Sequence, residues 1–156
     1  MVEIKPPSVE ELRALGFSHP EMPRITCEQF KLMIDEGRVS ADDFIMVDVR
    51  VEGFVNQHII GSIFIPVQYS SGAPILTKTV MRSLRSLPKD RLIIFYDSGE
   101  KDTVATSMAQ VLLDLNEGYD PGNIKVLWQG FNRWRELNYP FYDPEEHLLS
   151  EDQFDM

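Results

Sequence analysis

The sequence has one cysteine, Cys27, and three histidines. A lone thiol excludes an intramolecular disulfide and any zinc site built on paired cysteines. His19, His58 and His147 lie far apart and lack the spacing of paired metal ligands. No metal and no cofactor is expected. There is no G-x-G-x-x-G and no P-loop. No apolar run approaches the ~20 residues of a membrane-spanning helix, so no membrane insertion is expected. The first residues, MVEIKPPSVEELRALGF, carry acids early and do not read as a secretory or transit signal. The cytoplasm is the expected location. Basic residues are scarce: 15 Lys and Arg stand against 25 acids, a formal net charge of −10. No Lys/Arg cluster stands out. That balance disfavours nucleic acid and anionic membrane as partners, since both need local positive charge.

What is present fits one soluble globular domain. The chain has 156 residues, 43% hydrophobic and 26% charged. Ser8 and Glu11 form a capping box, as do Thr26 and Gln29. The first should open a short helix ending near Gly16. The second should open a helix with Phe30, Met33 and Ile34 on one face and Gly37 just past its end. Residues 44–48 (FIMVD), 62–67 (SIFIPV), 92–96 and 124–128 read as strands. Residues 76–87 and 103–116 read as helices, and another begins at Gly130. On the helix from Thr103, the expected inner face is Val104, Met108, Val111, Leu112 and Leu115. Nearly all-apolar strands alternating with helices predict a parallel sheet covered on both faces. From Asp143 the chain reads DPEEHLLSEDQFDM, with six acids and no Lys or Arg. It is expected to be an acidic tail. Leu148, Leu149 and Phe154 within it could dock on a basic partner or on the domain itself.

Three segments carry a resemblance. The first is Asp48-Val49-Arg50, then Phe54, then His58-Ile59-Ile60-Gly61-Ser62-Ile63-Phe64-Ile65-Pro66. The second is the strand, loop and helix over 92–112. The third is Val126-Leu127-Trp128-Gln129-Gly130-Phe131-Asn132-Arg133-Trp134. In this order and spacing they resemble the rhodanese-like domain family, with its patterns "DVR … F … HIxGAxNIP" and "VLxGGFxxW". That family also includes the Cdc25-type phosphatase domains. The resemblance implies a single α/β domain with a five-stranded parallel sheet flanked by helices on both faces. It covers residues 24–140; a helical extension over 1–23 and the acidic tail over 141–156 are expected on either side.

The stretch from Arg50 to Phe54 is one residue shorter than the family pattern. The departure at the loop after residue 96 matters more. Active members carry C-x-x-G-x-R there. Aligned without gaps, the cysteine falls on Asp97, the arginine on Asp102, and the glycine sits one place early at Gly99. Sulfur transfer and the related phosphatase chemistry both need a thiolate, and both hold an anion among loop amides at a helix N-terminus. The loop Asp97-Ser98-Gly99-Glu100-Lys101-Asp102 has no thiol and three acids. Glu100 is offset only by Lys101. No catalytic residue is assigned. Asp97 is expected to turn inward, accept hydrogen bonds from the loop amides and carry a lowered pKa. Asp102 or Thr103 is expected to cap the following helix. An aspartyl nucleophile of the haloacid-dehalogenase type would need a second aspartate at residue 99, which is glycine.

The resulting expectation is a catalytically inactive rhodanese-like domain acting as a protein-interaction or regulatory module. Its binding face would be formed by Asp97, Lys101, Arg50 and Trp128. An enzyme with altered phosphatase- or sulfurtransferase-related chemistry at the Asp97 loop, and a structural subunit of a larger assembly, are the alternatives. Cys27, at a helix start, is expected to be an inert small residue. Phe131 and Trp134 are expected to be core, and His58 a structural hydrogen-bonder.

Overall fold

A computed structural model describes residues 5–38, 40, 42–51 and 57–144. The expectations placed on Phe54, on the short stretch before it and on Leu148, Leu149 and Phe154 lie outside the described residues. In chain order the elements are α1 (Val9–Ala14), β1 (Arg24–Thr26), α2 (Cys27–Asp35), β2 (Phe44–Asp48), β3 (His58–Ile59), β4 (Ile63–Phe64), β5 (Tyr69–Ser70), β6 (Ala73–Pro74), α3 (Lys78–Arg85), β7 (Leu92–Tyr96), α4 (Thr103–Asp114), β8 (Ile124–Trp128), α5 (Gly130–Glu136) and β9 (Phe141–Tyr142).

The main sheet has five strands in the order β1-β8-β7-β2-β4, and every pairing is parallel. Alternate residues of each strand face opposite layers. Val47, Ile93, Phe95 and Val126 meet Leu84 of α3 and Met108 and Leu112 of α4. Met46, Ile94, Tyr96 and Leu127 meet Phe30 of α2 and Phe131 and Trp134 of α5. Both faces of the central strands are therefore buried, which is why they contain hardly any polar residue.

Local signals in the chain fix the helix starts. Ser8 Oγ accepts from Glu11 N at 3.2 Å, while Ser8 N donates to Glu11 Oε1 at 3.1 Å. Thr26 and Gln29 make the same reciprocal pair, at 2.9 and 3.0 Å. Cys27 follows that cap, wholly buried, its sulfur near the carbonyls of Trp128 and Gly130. Burial pushes its thiol up to about 12, so it is no nucleophile at neutral pH.

Two expectations need correction. The segment 62–67 contributes only Ile63–Phe64 to the sheet. Its neighbour β2 pairs with it over two residues, and Pro66 has no amide to continue the ladder. The expected inner residues of α4 all pack toward the core, Met108 and Leu112 buried and Val104, Val111 and Leu115 half-buried, with Ala105 and Ala109 buried beside them. Basic residues do cluster: Lys78, Arg82 and Arg85 line one groove on α3. Phe141–Tyr142, beyond position 140, pairs antiparallel with His58–Ile59, and His58 stacks on Tyr142. No helix among the described residues is long and apolar enough to cross a membrane.

Candidate functional site

The carboxyl ends of β2 and β7 open into the loop 97–102. Asp48 ends β2 with its side chain fully buried. Its carboxylate takes the Arg50 guanidinium side-on, from Nε at 3.0 Å and from Nη2 at 2.7 Å, and also accepts from Arg50 N at 2.9 Å. Arg50 Nη2 donates as well to Gln57 O at 2.7 Å, and the guanidinium lies 4.5 Å from the Phe131 ring centroid. Asp48 and Arg50 thus pair locally, and the pairing occupies the arginine.

Asp97 does turn inward. Its Oδ1 accepts from Gly99 N at 2.8 Å and its Oδ2 from Ala105 N at 3.1 Å. One carboxylate therefore closes the turn and caps the third residue of α4. The predicted lowering of its pKa is overturned. Burial pushes the Asp97 carboxyl above its ordinary value and buried Asp48 adds to the push, against the two amide bonds and Arg50. An acid raised in the folded state contributes stability at low pH that is lost as pH climbs through its folded pKa. The advantage of the native chain over Asp97→Asn should therefore shrink as pH rises from the ordinary carboxylate range through the raised value. Urea midpoints at a series of pH values measure it; an advantage that grows with pH would contradict the assignment.

Asp102 does not cap α4 with its side chain. It sits in left-handed backbone at φ 47° and makes no such bond. Instead its carboxylate receives Arg24 side-on, one bond to each oxygen, Nη2 to Oδ1 at 2.9 Å and Nε to Oδ2 at 3.1 Å, with both side chains about 1% exposed. Burial raises the Asp102 carboxyl while Arg24 draws it down. Arg24 also donates to the carbonyls of Ser18, His19 and Met22. Thr103 plays no capping role, and Thr106 Oγ1 returns a bond to Asp102 O at 3.0 Å. Of the loop's acids, Asp102 is thus offset by Arg24.

Lys101 points away from the turn. Its Nζ donates to Leu15 O at 3.0 Å and lies 4.6 Å from the Phe17 ring centroid. Phe17 in turn meets Trp128, ring centroids 5.2 Å apart. The segment after α1 therefore lies along one side of the loop. Three cations beside the turn are engaged: Arg50 by Asp48, Arg24 by Asp102, and Lys101 by the segment after α1.

The loop is locked to the start of α5 by backbone alone. Phe131 N donates to Asp97 O at 2.9 Å and Asn132 N to Ser98 O at 3.1 Å. Gly99 adopts φ 107°, and a Cβ there would run into the Gln129 carbonyl; one on Gly130 would run into Asp97 O. Gln129, at the first glycine position of the family pattern, takes φ 65°.

The expected binding residues separate into two clefts on either side of the loop. A cleft of about 450 Å³ is lined by Arg50, Val67, Tyr69, Asp97, Lys101 and Val104. The second, about 520 Å³, is lined by Phe17, Trp128, Gln129, Asn132, Arg133 and Glu136. Gly99 and Glu100 border both. Trp128 therefore does not share a cleft with Asp97, Lys101 and Arg50. Arg24, Phe17 and Tyr69 escaped the sequence reading, because each reaches the loop only through tertiary structure. No cluster of three or more potential metal ligands occurs among the described residues.

Comparison with known proteins bears on this geometry. No curated protein matches the chain. Among solved structures, the BH2092 protein of Bacillus halodurans aligns at 24% identity, covering 86% of this chain and 85% of that one, with a TM-score of 0.57. The rhodanese-like domain of the Alr3790 protein of Anabaena sp. aligns at 23%, covering 78% and 79%, with a TM-score of 0.55. The RPA3614 protein of Rhodopseudomonas palustris, described as a possible tyrosine phosphatase, aligns at 17%, covering 91% and 99%, with a TM-score of 0.53. At these identities the likeness is one of fold. The family model described as Rhodanese-like domain matches residues 26–137, from the cap of α2 to the end of α5. That span includes the sheet centre, the loop and its backbone lock, and the chain belongs to the rhodanese-like domain family.

Proposed function

We propose that this rhodanese-like domain carries out no thiolate chemistry at the 97–102 loop and serves as a protein-binding module through the surface around it. The observation that carries this reading is the place of the Asp97 carboxylate. It accepts the Gly99 and Ala105 amides, where an anion held at this helix start would need donors. A further anion would meet buried carboxyls on Asp48, Asp97 and Asp102 and cations already engaged. The sole cysteine is not part of the loop, and its side chain is wholly buried against α5. Exposed Glu100, between the two clefts, and the half-buried Trp128 offer mixed polar and aromatic surface to a partner.

A phosphatase reading draws on the Cdc25-type members of the family and on the description of RPA3614. Both readings meet in one experiment. The purified chain is assayed for thiosulfate–cyanide turnover and for hydrolysis of generic phosphate esters. No turnover above the blank is expected from the native chain, and Asp97→Cys should recover little, since the position of the family arginine is held by Asp102. Turnover abolished by Asp97→Ala would establish an enzyme instead. Affinity capture with the native chain, against Glu100→Lys and Trp128→Ala variants, then tests the binding surface. Equal capture by all three would place the partner elsewhere.

A further inference from the structure

The groove on α3 lies away from the loop and is absent from the reading above. Its volume is about 620 Å³, and its lining is Leu76, Lys78, Met81, Arg82, Arg85 and Ser86. Lys78, Arg82 and Arg85 are four and three residues apart, so they share one helix face. Val80 and Leu84, on the opposite face, are buried in the core. Leu76 is 43% exposed and the adjoining Ile75 41%. Residues 75–91 contain five of the chain's bases and one acid, Asp90, in a protein of net charge −10. Arg85 makes an exposed ion pair with Glu117 at 3.1 Å. Among the described residues, Lys78 and Arg82 have no ion-pair partner.

We propose that this groove is the docking site of the chain's own segment 145–156. That segment reads EEHLLSEDQFDM, with five acids, no Lys or Arg, and three bulky apolar residues in Leu148, Leu149 and Phe154. Its chemistry is the complement of the groove: acids for the α3 bases, apolar side chains for Leu76 and Met81. The point of departure suits it as well. Asp143 Oδ2 accepts from Gln57 Nε2 at 3.1 Å, and Gln57 O accepts from Arg50 at the rim of the loop cleft. Tyr69 of β5 borders that same cleft, and β6 runs into α3 after three residues. Twelve residues extended reach about 40 Å. A folded body of this size has a radius of gyration of about 14 Å. The reach is thus comparable with the diameter of the body.

The test uses the full chain with a nitroxide on Ser150→Cys. Cys27 is wholly buried and its thiol is raised to about 12, so it stays unlabelled. Loss of amide signal over residues 76–86 is the expected result. Arg82→Glu with Arg85→Glu, both at exposed positions, should restore the signal. Adding Glu151→Lys and Asp152→Lys to that variant should quench it again. The proposal is overturned by full signal over 76–86, by quenching centred elsewhere, or by quenching that survives the arginine reversal or fails to return with the swapped charges. Quenching seen only between labelled and unlabelled molecules would assign the groove to a second copy and overturn it too.

Discussion

Replacing Gly99 by alanine should cost about 3–4 kcal/mol of stability, a large share of a typical domain's total. Two penalties combine at this position. The residue holds φ 107°, outside the range that a side chain tolerates. A methyl group there would also collide with the backbone of Gln129 and Gly130, which are fixed by the Asp97–Phe131 and Ser98–Asn132 hydrogen bonds. Gly37 provides the control. It has φ 72° but nothing within 4 Å of an added Cβ, so Gly37→Ala should cost about 1 kcal/mol from backbone strain alone. Urea denaturation of both variants separates collision from strain. Equal losses would mean that the loop gives way readily and is not locked to α5.

The second large effect is expected at Arg24. Arg24→Met removes the buried partner of Asp102 and five donated hydrogen bonds, three of them to the carbonyls of Ser18, His19 and Met22. Leaving one member of a buried pair uncompensated costs about 3–5 kcal/mol. The double variant Arg24→Met with Asp102→Asn should lose clearly less than the sum of the single losses, because the second change removes the orphaned charge. Equilibrium unfolding of the four proteins gives the coupling. Strict additivity would show that the pair contributes nothing as a pair.

These two sites mark the limit of what the sequence displays. The bounds of β2, β7 and β8 were legible because central parallel strands are buried on both faces and leave short, nearly unbroken apolar runs. The starts of α1 and α2 were legible because a capping box is complete within four residues. Arg24 and Asp102 are 78 positions apart, and no periodicity links them. Asp102 alone looks like a cap or a surface acid. The inward turn of Asp97 was legible from its position after a strand, whereas the direction of its pKa was not. Hydrogen bonds to loop amides can be anticipated from a turn, but desolvation depends on what the rest of the chain piles around it. The bases of α3 were visible as a spacing of four and three. The overall acidity hid them, since a net charge carries no information about which helix face holds the minority sign.

The sheet's borders have a consequence for colloidal behaviour. One outer strand, β1, is three residues long and follows Pro23; the other, β4, is two residues long and precedes Pro66. A neighbouring molecule seeking to extend the ladder finds almost no free amide row at either margin, and a proline bounds each on one side. Concentrated solutions of the folded chain should therefore resist strand-templated fibril growth from the main sheet.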